Sequence, residues 1–308
     1  MYEYYLAGLG IRSDIELPLS KAELPGTGAE VSLSHGPPLP EGNCPPKAEW
    51  NWPSPDEASL SYPRLGMASI SEGKRILLRP YAGNTSTTEW RGLLIPCFAA
   101  LFHQRGALSL HASAVYTNGQ AVGFMGYPGA GKSTLVAQLV GSSFSFLCDD
   151  LLLTSATGDN RGFLAHPGFR IIKLWEDAVR AAGAGNSRIG RLYPDADKDG
   201  FTPPSLKSRF SPAPLKCLFV LEEGDRVKVE TLSRPDALAE LLRQTYGVLS
   251  FKQKPLPVHF RQCGELAARI PVKRLIRPKT FAGSAGVEQA ITEALDEDRR
   301  TQLGKMPV

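Results

Sequence analysis

The sequence has few cysteines, and their spacing argues against a zinc site or a disulfide framework. The five cysteines are odd in number, dispersed along 308 residues, and include no Cys-x-x-Cys pair. This usage is typical of free thiols in a reducing compartment. Long hydrophobic runs are also absent, since the longest nearly apolar stretch, 92–102, is too short to span a bilayer and contains Pro96. The cysteines are Cys44, Cys97, Cys148, Cys217 and Cys263.

The chain has little excess charge of either sign. Lys and Arg number 35 against 31 Asp and Glu, which gives a net charge of +4. This small surplus, with no basic run that contains interleaved aromatics, predicts neither a nucleic-acid partner nor a membrane partner. The first five residues lack a basic region and a long apolar stretch, so we expect no signal peptide and a cytoplasmic location.

Residues 1–87 are rich in Pro, Gly and Ser and contain short apolar or alternating segments separated by turn residues. This pattern predicts a small β-rich N-terminal domain with long loops. We find no catalytic motif in these residues, and we predict an accessory role such as binding a substrate. The segments are Tyr4–Leu9, Glu30–Leu33, Ala58–Tyr62, Met67–Ile70 and Arg75–Leu78.

Residues 88–308 are predicted to form an α/β domain with a mixed sheet, because helical and strand patterns interleave there. Apolar residues recur at helical spacing between 93 and 102, and Asn118-Gly119 separates two apolar runs as in a β-hairpin. The segment 183–210 is rich in Gly, Pro, Ser and charge, and we expect a long loop or lid. Strands are predicted at Leu108–Tyr116, Ala121–Met125, Phe144–Cys148, Leu151–Thr154, Gly162–Ala165, Arg170–Leu174, Leu215–Leu221, Arg226–Thr231 and Pro271–Ile276, and helices at 135–140, Glu176–Ala182, from Ser233, and Val287–Leu295. We expect Arg170–Leu174 to continue the main sheet, and Leu215–Leu221 to pair with Arg226–Thr231 across a turn.

Residues 126–134 carry the strongest functional signal. Gly126 to Ser133 fits G-x-x-x-x-G-K-[ST], the pattern of a phosphate-binding loop between a strand and a helix. The glycines let backbone N–H groups surround phosphate oxygens, and the helix start adds its positive dipole end. Lys132 would contact the β- and γ-phosphates, and the Ser133 hydroxyl would bind Mg²⁺. The residues predicted to bind ATP are Gly126, Tyr127, Pro128, Gly129, Ala130, Gly131, Lys132, Ser133 and Thr134.

Two adjacent carboxylates, Asp149 and Asp150, follow the apolar strand predicted at 144–148. Ligands of open α/β sheets bind at the carboxyl ends of strands, so we expect the pair beside the phosphate-binding loop. Neighbouring side chains of an extended backbone point in different directions, which lets one carboxylate reach a metal ion and the other an acceptor hydroxyl. Only one helix and one strand separate Lys132 from Asp149, and this spacing indicates a compact kinase. An Asp-Asp turn between two strands is the alternative interpretation.

The segment 110–150 resembles the catalytic domain of the HPr kinase/phosphorylase family, which has the phosphoenolpyruvate carboxykinase type of nucleotide-binding fold. The resemblance comprises Leu110-His111-Ala112-Ser113, the Asn-Gly hairpin, the glycine loop and Cys148-Asp149-Asp150. It implies that Asp149 is the general base and that Asp150 holds Mg²⁺ together with Ser133. It also implies that His111 orients the Asp pair, whereas a histidine on an apolar strand is otherwise more often a core residue.

The chain is most similar to divergent HPr-kinase-like proteins of ribosomal peptide clusters, which include lasso-peptide kinases. The similarity also involves a Tyr-rich start followed by Ser13-Asp14, and the segment Ile172-Lys173-Leu174-Trp175. It implies an ATP- and Mg²⁺-dependent kinase whose acceptor is a serine of a precursor peptide, at the C-terminus in the lasso case. The family's Glu-containing signature is absent from 165–170, so neither a metal-contacting Glu nor the phosphorylase activity is expected. Residues 1–87 do not resemble the family's N-terminal domain, so HPr is not the expected substrate.

Three alternative functions stay open. A kinase of a small alcohol, such as free serine or a sugar, would use the same residues, whereas a nucleotide-binding scaffold would use the loop without transferring phosphate. A phosphoenolpyruvate carboxykinase-like enzyme is disfavoured by the chain length and by the lack of an added metal-binding His–Lys set. Lys207, Arg209 and Arg170 are candidates to contact the γ-phosphate, with a solvated charge as the alternative. His166 has no predicted role.

Overall fold

The N-terminal part of the computed structural model is a seven-stranded sheet. Its strands are β1 (Tyr2–Leu6), β2 (Leu9–Ser13), β3 (Val31–His35), β4 (Glu49–Ser54), β5 (Glu57–Tyr62), β6 (Gly66–Ser71) and β7 (Arg75–Pro80). They lie in the order β1-β2-β3-β7-β6-β5-β4. The structure describes residues 1–19, 21, 29–40, 44–83, 88–159, 161–182, 188–193, 196–203, 211–246, 257–279 and 284–303.

One apolar core joins this sheet to helix α1 (Thr88–Gln104). Inward-facing strand residues such as Leu60, Ile70 and Leu78 lie in one buried cluster with Leu94 and Phe98 of the helix. Burial of a side chain of this size contributes about 1.5–3 kcal/mol, so the sheet and the helix stabilise one another. From later in the chain, the same core includes Leu151, Leu153, Phe169 and Tyr246.

A nine-stranded sheet forms the centre of the remaining chain. Its strands are β8 (Ser109–Leu110), β9 (Ser113–Thr117), β10 (Gln120–Met125), β11 (Ser145–Cys148), β12 (Leu152–Ala156), β13 (Phe163–Ala165), β17 (Ala213–Glu223), β18 (Lys228–Thr231) and β19 (Val272–Arg277). Strand β9 pairs antiparallel with both β10 and β11, and β10 pairs parallel with β17, as β17 does with β19. Strands β10, β11, β17 and β19 therefore run in one direction, and their carboxyl ends meet at one edge of the sheet.

A small separate sheet lies beside the central one. It consists of β14 (Ile172–Trp175), β15 (Arg188–Tyr193) and β16 (Ala196–Phe201), in the antiparallel order β14-β16-β15. Helix α2 (Lys132–Gly141) contacts β9, β11 and β14, and so connects the two sheets. The other helices are α3 (Glu176–Ala182), α4 (Arg234–Arg243), α5 (Pro257–Arg269) and α6 (Ser284–Leu303). No helix in the described part of the chain is long and apolar enough to cross a membrane.

The predicted fold class is confirmed, since mixed α/β elements follow a β-rich N-terminal region. The Asn118-Gly119 hairpin is present between β9 and β10, with both residues at positive φ, 47° and 84°. Helix α3 has the predicted bounds, and Ser233 caps α4 by accepting a hydrogen bond from the backbone N–H of Asp236. The division of the chain at residue 87 stays a prediction.

Four local predictions are wrong. The strand predicted at 108–116 is two strands, because β8 pairs with β12 while β9 pairs with β10 and β11. The strand predicted at 170–174 belongs to the small sheet and does not continue the central one. Within 183–210, residues 188–193 and 196–201 form strands β15 and β16 rather than a loop. Strand β18 pairs with β19 instead of β17, because the parallel partners β10 and β19 flank β17 over much of its length.

Candidate active site

The phosphate-binding loop follows β10 and ends at the first turn of α2. Gly126, Gly129 and Gly131 have positive φ values of 148°, 86° and 83°, a backbone region in which a side chain would be strained. A Cβ atom on Gly131 would also lie 2.6 Å from the guanidinium of Arg277, which donates hydrogen bonds to the carbonyls of Ala130 and Gly131. The loop is therefore held open by glycine backbone geometry and by an arginine from the end of β19.

The ammonium of Lys132 lies folded over the loop. It donates a hydrogen bond of 2.7 Å to the carbonyl of Gly126, and the residue is only 7% exposed. Burial lowers the pKa of Lys132 to about 8, even though Asp150 and Asp149 favour its charged form. A buried cation beside glycine N–H groups is an arrangement that favours a polyphosphate ligand.

Asp149 is fully enclosed and uses both carboxylate oxygens. Oδ1 accepts hydrogen bonds from the hydroxyls of Ser113, at 2.5 Å, and Ser133, at 2.8 Å, while Oδ2 accepts one of 2.9 Å from the backbone N–H of Lys173. Burial and the neighbouring Asp150 raise the pKa of Asp149, and the three donors oppose that rise. Asp149 is 1% exposed and does not line the cavity described below.

Asp150 lies on the cavity wall and has a left-handed backbone, with φ at 71°. Its Oδ2 accepts a hydrogen bond of 2.7 Å from the Lys173 ammonium, and its Oδ1 lies 3.4 Å from Nε2 of His111. Burial alone would raise the pKa of Asp150, but Lys173, with help from His111 and Lys132, outweighs it and holds the pKa well below its usual range. Asp150 is therefore ionised at neutral pH.

His111 lies at the break between β8 and β9 rather than within a strand. Its backbone N–H donates to the carbonyl of Gln244, at 2.7 Å, and its ring stacks on Tyr246 with centroids 5.7 Å apart. Burial lowers the pKa of His111 to about 4, although Asp150 favours the charged ring. The ring is thus neutral at pH 7 and fixed in place beside Asp150.

Apart from Asp149, these groups surround one cavity of about 460 Å³. Its cationic side chains outnumber its carboxylates, which suits an anionic ligand such as a nucleoside triphosphate. The predicted residues that line it are His111, Pro128, Gly129, Gly131, Lys132, Ser133, Thr134 and Asp150. The other lining residues are Gln138, Lys173, Trp175, Asp177, Ala178, Lys198, Arg277 and Lys279.

Sequence reasoning missed the basic residues that complete the site. Lys173 interrupts an apolar strand pattern, and a charged residue there could have marked a side chain aimed at the Asp pair. Arg277 ends a strand parallel to β17, at the sheet edge that carries the loop. Lys198 gave no local signal, because its position depends on the pairing of β14 with β16.

Other candidate residues lie elsewhere. The backbone N–H of Arg170 bonds to the carbonyl of Pro18, and Arg170 does not line the cavity. The ring of His166 bonds to the hydroxyl of Ser155, at 2.8 Å. Lys207 and Arg209 lie outside the described residues. Three loop residues, Gly126, Tyr127 and Ala130, shape the loop without lining the cavity.

The oxygen ligands at the site fit Mg²⁺. The part of the chain that the structure describes holds no cluster of three or more His, Cys, Asp or Glu able to bind a metal ion by itself. Mg²⁺ is usually bound by one or two carboxylates together with substrate phosphates, and this site offers the Ser133 hydroxyl and the Asp pair. The contact of 2.8 Å joins Ser133 to Asp149, the carboxylate predicted to be the base, and not to Asp150.

The comparisons with known proteins find a likeness among solved structures alone. No protein-family model and no curated protein matches the chain. Solved structures that match include the HPr(Ser) kinase/phosphatase from Coxiella burnetii, with a TM-score of 0.31 and 13% sequence identity. The match covers 64% of this chain and 98% of that chain.

Proposed function

We propose that this protein is a kinase that transfers the γ-phosphate of ATP, with Mg²⁺, to an alcohol hydroxyl. The observation that carries the proposal is the meeting of the glycine loop, Lys132 and an ionised Asp150 in one cavity. Asp149 contacts Ser133 at the same point. A phosphate-binding loop alone would support binding, whereas carboxylates placed beside it also supply a proton acceptor for a hydroxyl.

Transfer would break the bond between the γ-phosphorus and the oxygen that bridges it to the β-phosphate, and would form a bond to the acceptor oxygen. ADP leaves, and the hydroxyl proton passes to a carboxylate of the Asp pair. The loop N–H groups and Lys132 hold the triphosphate, so that catalysis is mainly positioning and charge stabilisation. Ser133 and a carboxylate of the pair would hold Mg²⁺, which neutralises phosphate charge when bound.

The acceptor in this proposal is a serine of a ribosomal precursor peptide. The support is the similarity of the Leu-His-Ala-Ser segment and of Ile172–Trp175, together with their positions in the structure. His111 of the first segment and Lys173 and Trp175 of the second line the same cavity. The predicted accessory role of residues 1–87 agrees with a peptide substrate, which needs more contact surface than a small alcohol.

The test is mass spectrometry of a synthetic peptide with a C-terminal serine, after incubation with the protein and Mg-ATP. We expect one added phosphate on serine, and loss of that product in Asp149→Asn, Asp150→Asn and Lys132→Met. The exposed Lys74, in the turn between β6 and β7, provides a control variant, Lys74→Met, which should retain full activity.

Two outcomes would contradict the proposal in different ways. Phosphorylation of free serine or a sugar, with the peptide unmodified, would replace the peptide by a small alcohol. Binding of Mg-ATP with no transfer to any hydroxyl, and unchanged cellular function in the Asp150→Asn variant, would indicate a nucleotide-binding scaffold.

A further inference from the structure

Lys198 reaches the cavity from the small sheet. It stands opposite Trp175 in the register of β14 and β16, and both side chains line the cavity. Lys173, two positions before Trp175, lies on the same face of β14 and contacts Asp150. The small sheet therefore forms one wall of the cavity. On this wall Lys173 contacts Asp150, and Trp175 and Lys198 lie beside it.

The ammonium of Lys198 has an aromatic support and no ion-pair partner among the described residues. It lies 5.1 Å from the centroid of the Trp175 ring, which holds it by a cation–π contact. The carboxylate of the following residue, Asp199, pairs with Arg188 at 2.8 Å. The cavity carboxylate of Asp177 accepts the backbone N–H of Ala178, also at 2.8 Å.

Among the described residues, three of the other four cations that line the cavity are engaged, the exception being Lys279. Lys132 donates to the carbonyl of Gly126, Lys173 to Asp150, and Arg277 to the loop carbonyls. Lys198 is half-buried and close enough to His111 and Lys132 for its charge to act on both. A partly desolvated cation is costly without a counter-ion, and the ligand best placed to supply one is a phosphate group held by the loop.

We propose that Lys198, held on the Trp175 ring, is a catalytic cation that contacts the γ-phosphoryl group during transfer, on the side opposite the loop. The inference rests on the proposed kinase function and deepens it. While the bond to the β-phosphate oxygen breaks and the bond to the acceptor oxygen forms, Lys198 stabilises the equatorial oxygens, and Trp175 is a positioning residue. Lys198 takes no part in the proton transfer of this step.

The test compares Lys198→Met, Lys198→Arg and the control Lys74→Met. Lys173 is unsuitable as the variant, because its removal would leave the Asp150 carboxylate without its ammonium partner. Two quantities are measured: the single-turnover rate of transfer from Mg-ATP, and the affinity for Mg-ADP with and without aluminium fluoride, which mimics the phosphoryl group in flight. Circular dichroism melts establish that each variant is folded.

We expect Lys198→Met to slow transfer about 100-fold, as does the loss of one transition-state donor elsewhere. It should bind Mg-ADP as the wild type does, and lose most of the tightening caused by aluminium fluoride. Lys198→Arg should recover most of both properties, since it keeps the charge and the stacking.

Three results would overturn the inference. An unchanged transfer rate in Lys198→Met would remove the role, and so would an equal loss of Mg-ADP affinity and rate, which indicates ground-state binding only. A wild-type protein that binds Mg-ADP but transfers no phosphate and responds to no fluoride would overturn the kinase function itself, and the role of Lys198 with it.

Discussion

Lys132 links nucleotide affinity to pH in a range where an ordinary lysine would not titrate. Its pKa is about 8 because the ammonium is buried. About nine tenths of the molecules carry the charge at pH 7, and about one tenth at pH 9. If only the charged form contacts the phosphates, the Kd for Mg-ATP rises about tenfold between these values, or about 1.4 kcal/mol.

Isothermal titration calorimetry from pH 7 to pH 9, in two buffers of different ionisation enthalpy, measures this dependence. Wild-type binding should take up protons above pH 8, because phosphate contact favours the charged lysine. Lys132→Met should bind weakly at pH 7, lose the pH dependence, and approach the wild type at pH 9. A wild-type Kd that is flat to pH 9, or a slope that persists in Lys132→Met, would refute the reasoning.

Two further predictions concern stability. His259 is 1% exposed and burial lowers its pKa to about 4 from 6.5. The unfolded chain therefore binds the proton first as pH falls, and His259 should contribute about 2 kcal/mol to a loss of stability between pH 7 and pH 5. Urea unfolding at both pH values should show the same loss in the wild type and in Lys74→Met, and a loss about 2 kcal/mol smaller in His259→Gln, where other buried histidines such as His111 keep their share. A Cβ on Gly92 of α1 would lie 2.3 Å from the carbonyl of Leu192, so Gly92→Ala should cost about 1–3 kcal/mol. Gly264→Ala on α5 meets nothing within 4 Å and should raise the melting temperature, and equal effects at both glycines would contradict the packing argument.

Local chemistry decided which parts of the fold could be predicted. Asn118-Gly119 forms its hairpin because both residues tolerate positive φ, and the glycine loop requires a strand before it and a helix after it. The departure of β14 into a separate sheet depends on pairing with β16, which follows later in the chain. Such pairings are set by tertiary packing, and composition and periodicity do not predict them.

The candidate site also contains residues that the sequence could predict and residues that it could not. Lys132, Ser133, Asp149 and Asp150 belong to short motifs, and the structure brings them together. The assignment of Asp149 as the base and Asp150 as the Mg²⁺ ligand stays a prediction. The hydrogen bond between Ser133 and Asp149 has to be accounted for in any test of that assignment. Lys198 could not be found from the sequence, because only the β14–β16 register places it at the cavity.

The three leucines after Asp150 join the core of the N-terminal sheet to the core of the central sheet. Leu151 and Leu153 enter the core of the N-terminal sheet, while Leu152 between them enters the core of the central sheet. A strand buried on both faces cannot loosen on one side without exposing the other, so heat should melt both cores in a single cooperative transition. Because a ligand that binds only the folded state stabilises everything that unfolds with its site, Mg-ATP should slow hydrogen exchange in β5 to β7, which contribute no residue to the cavity.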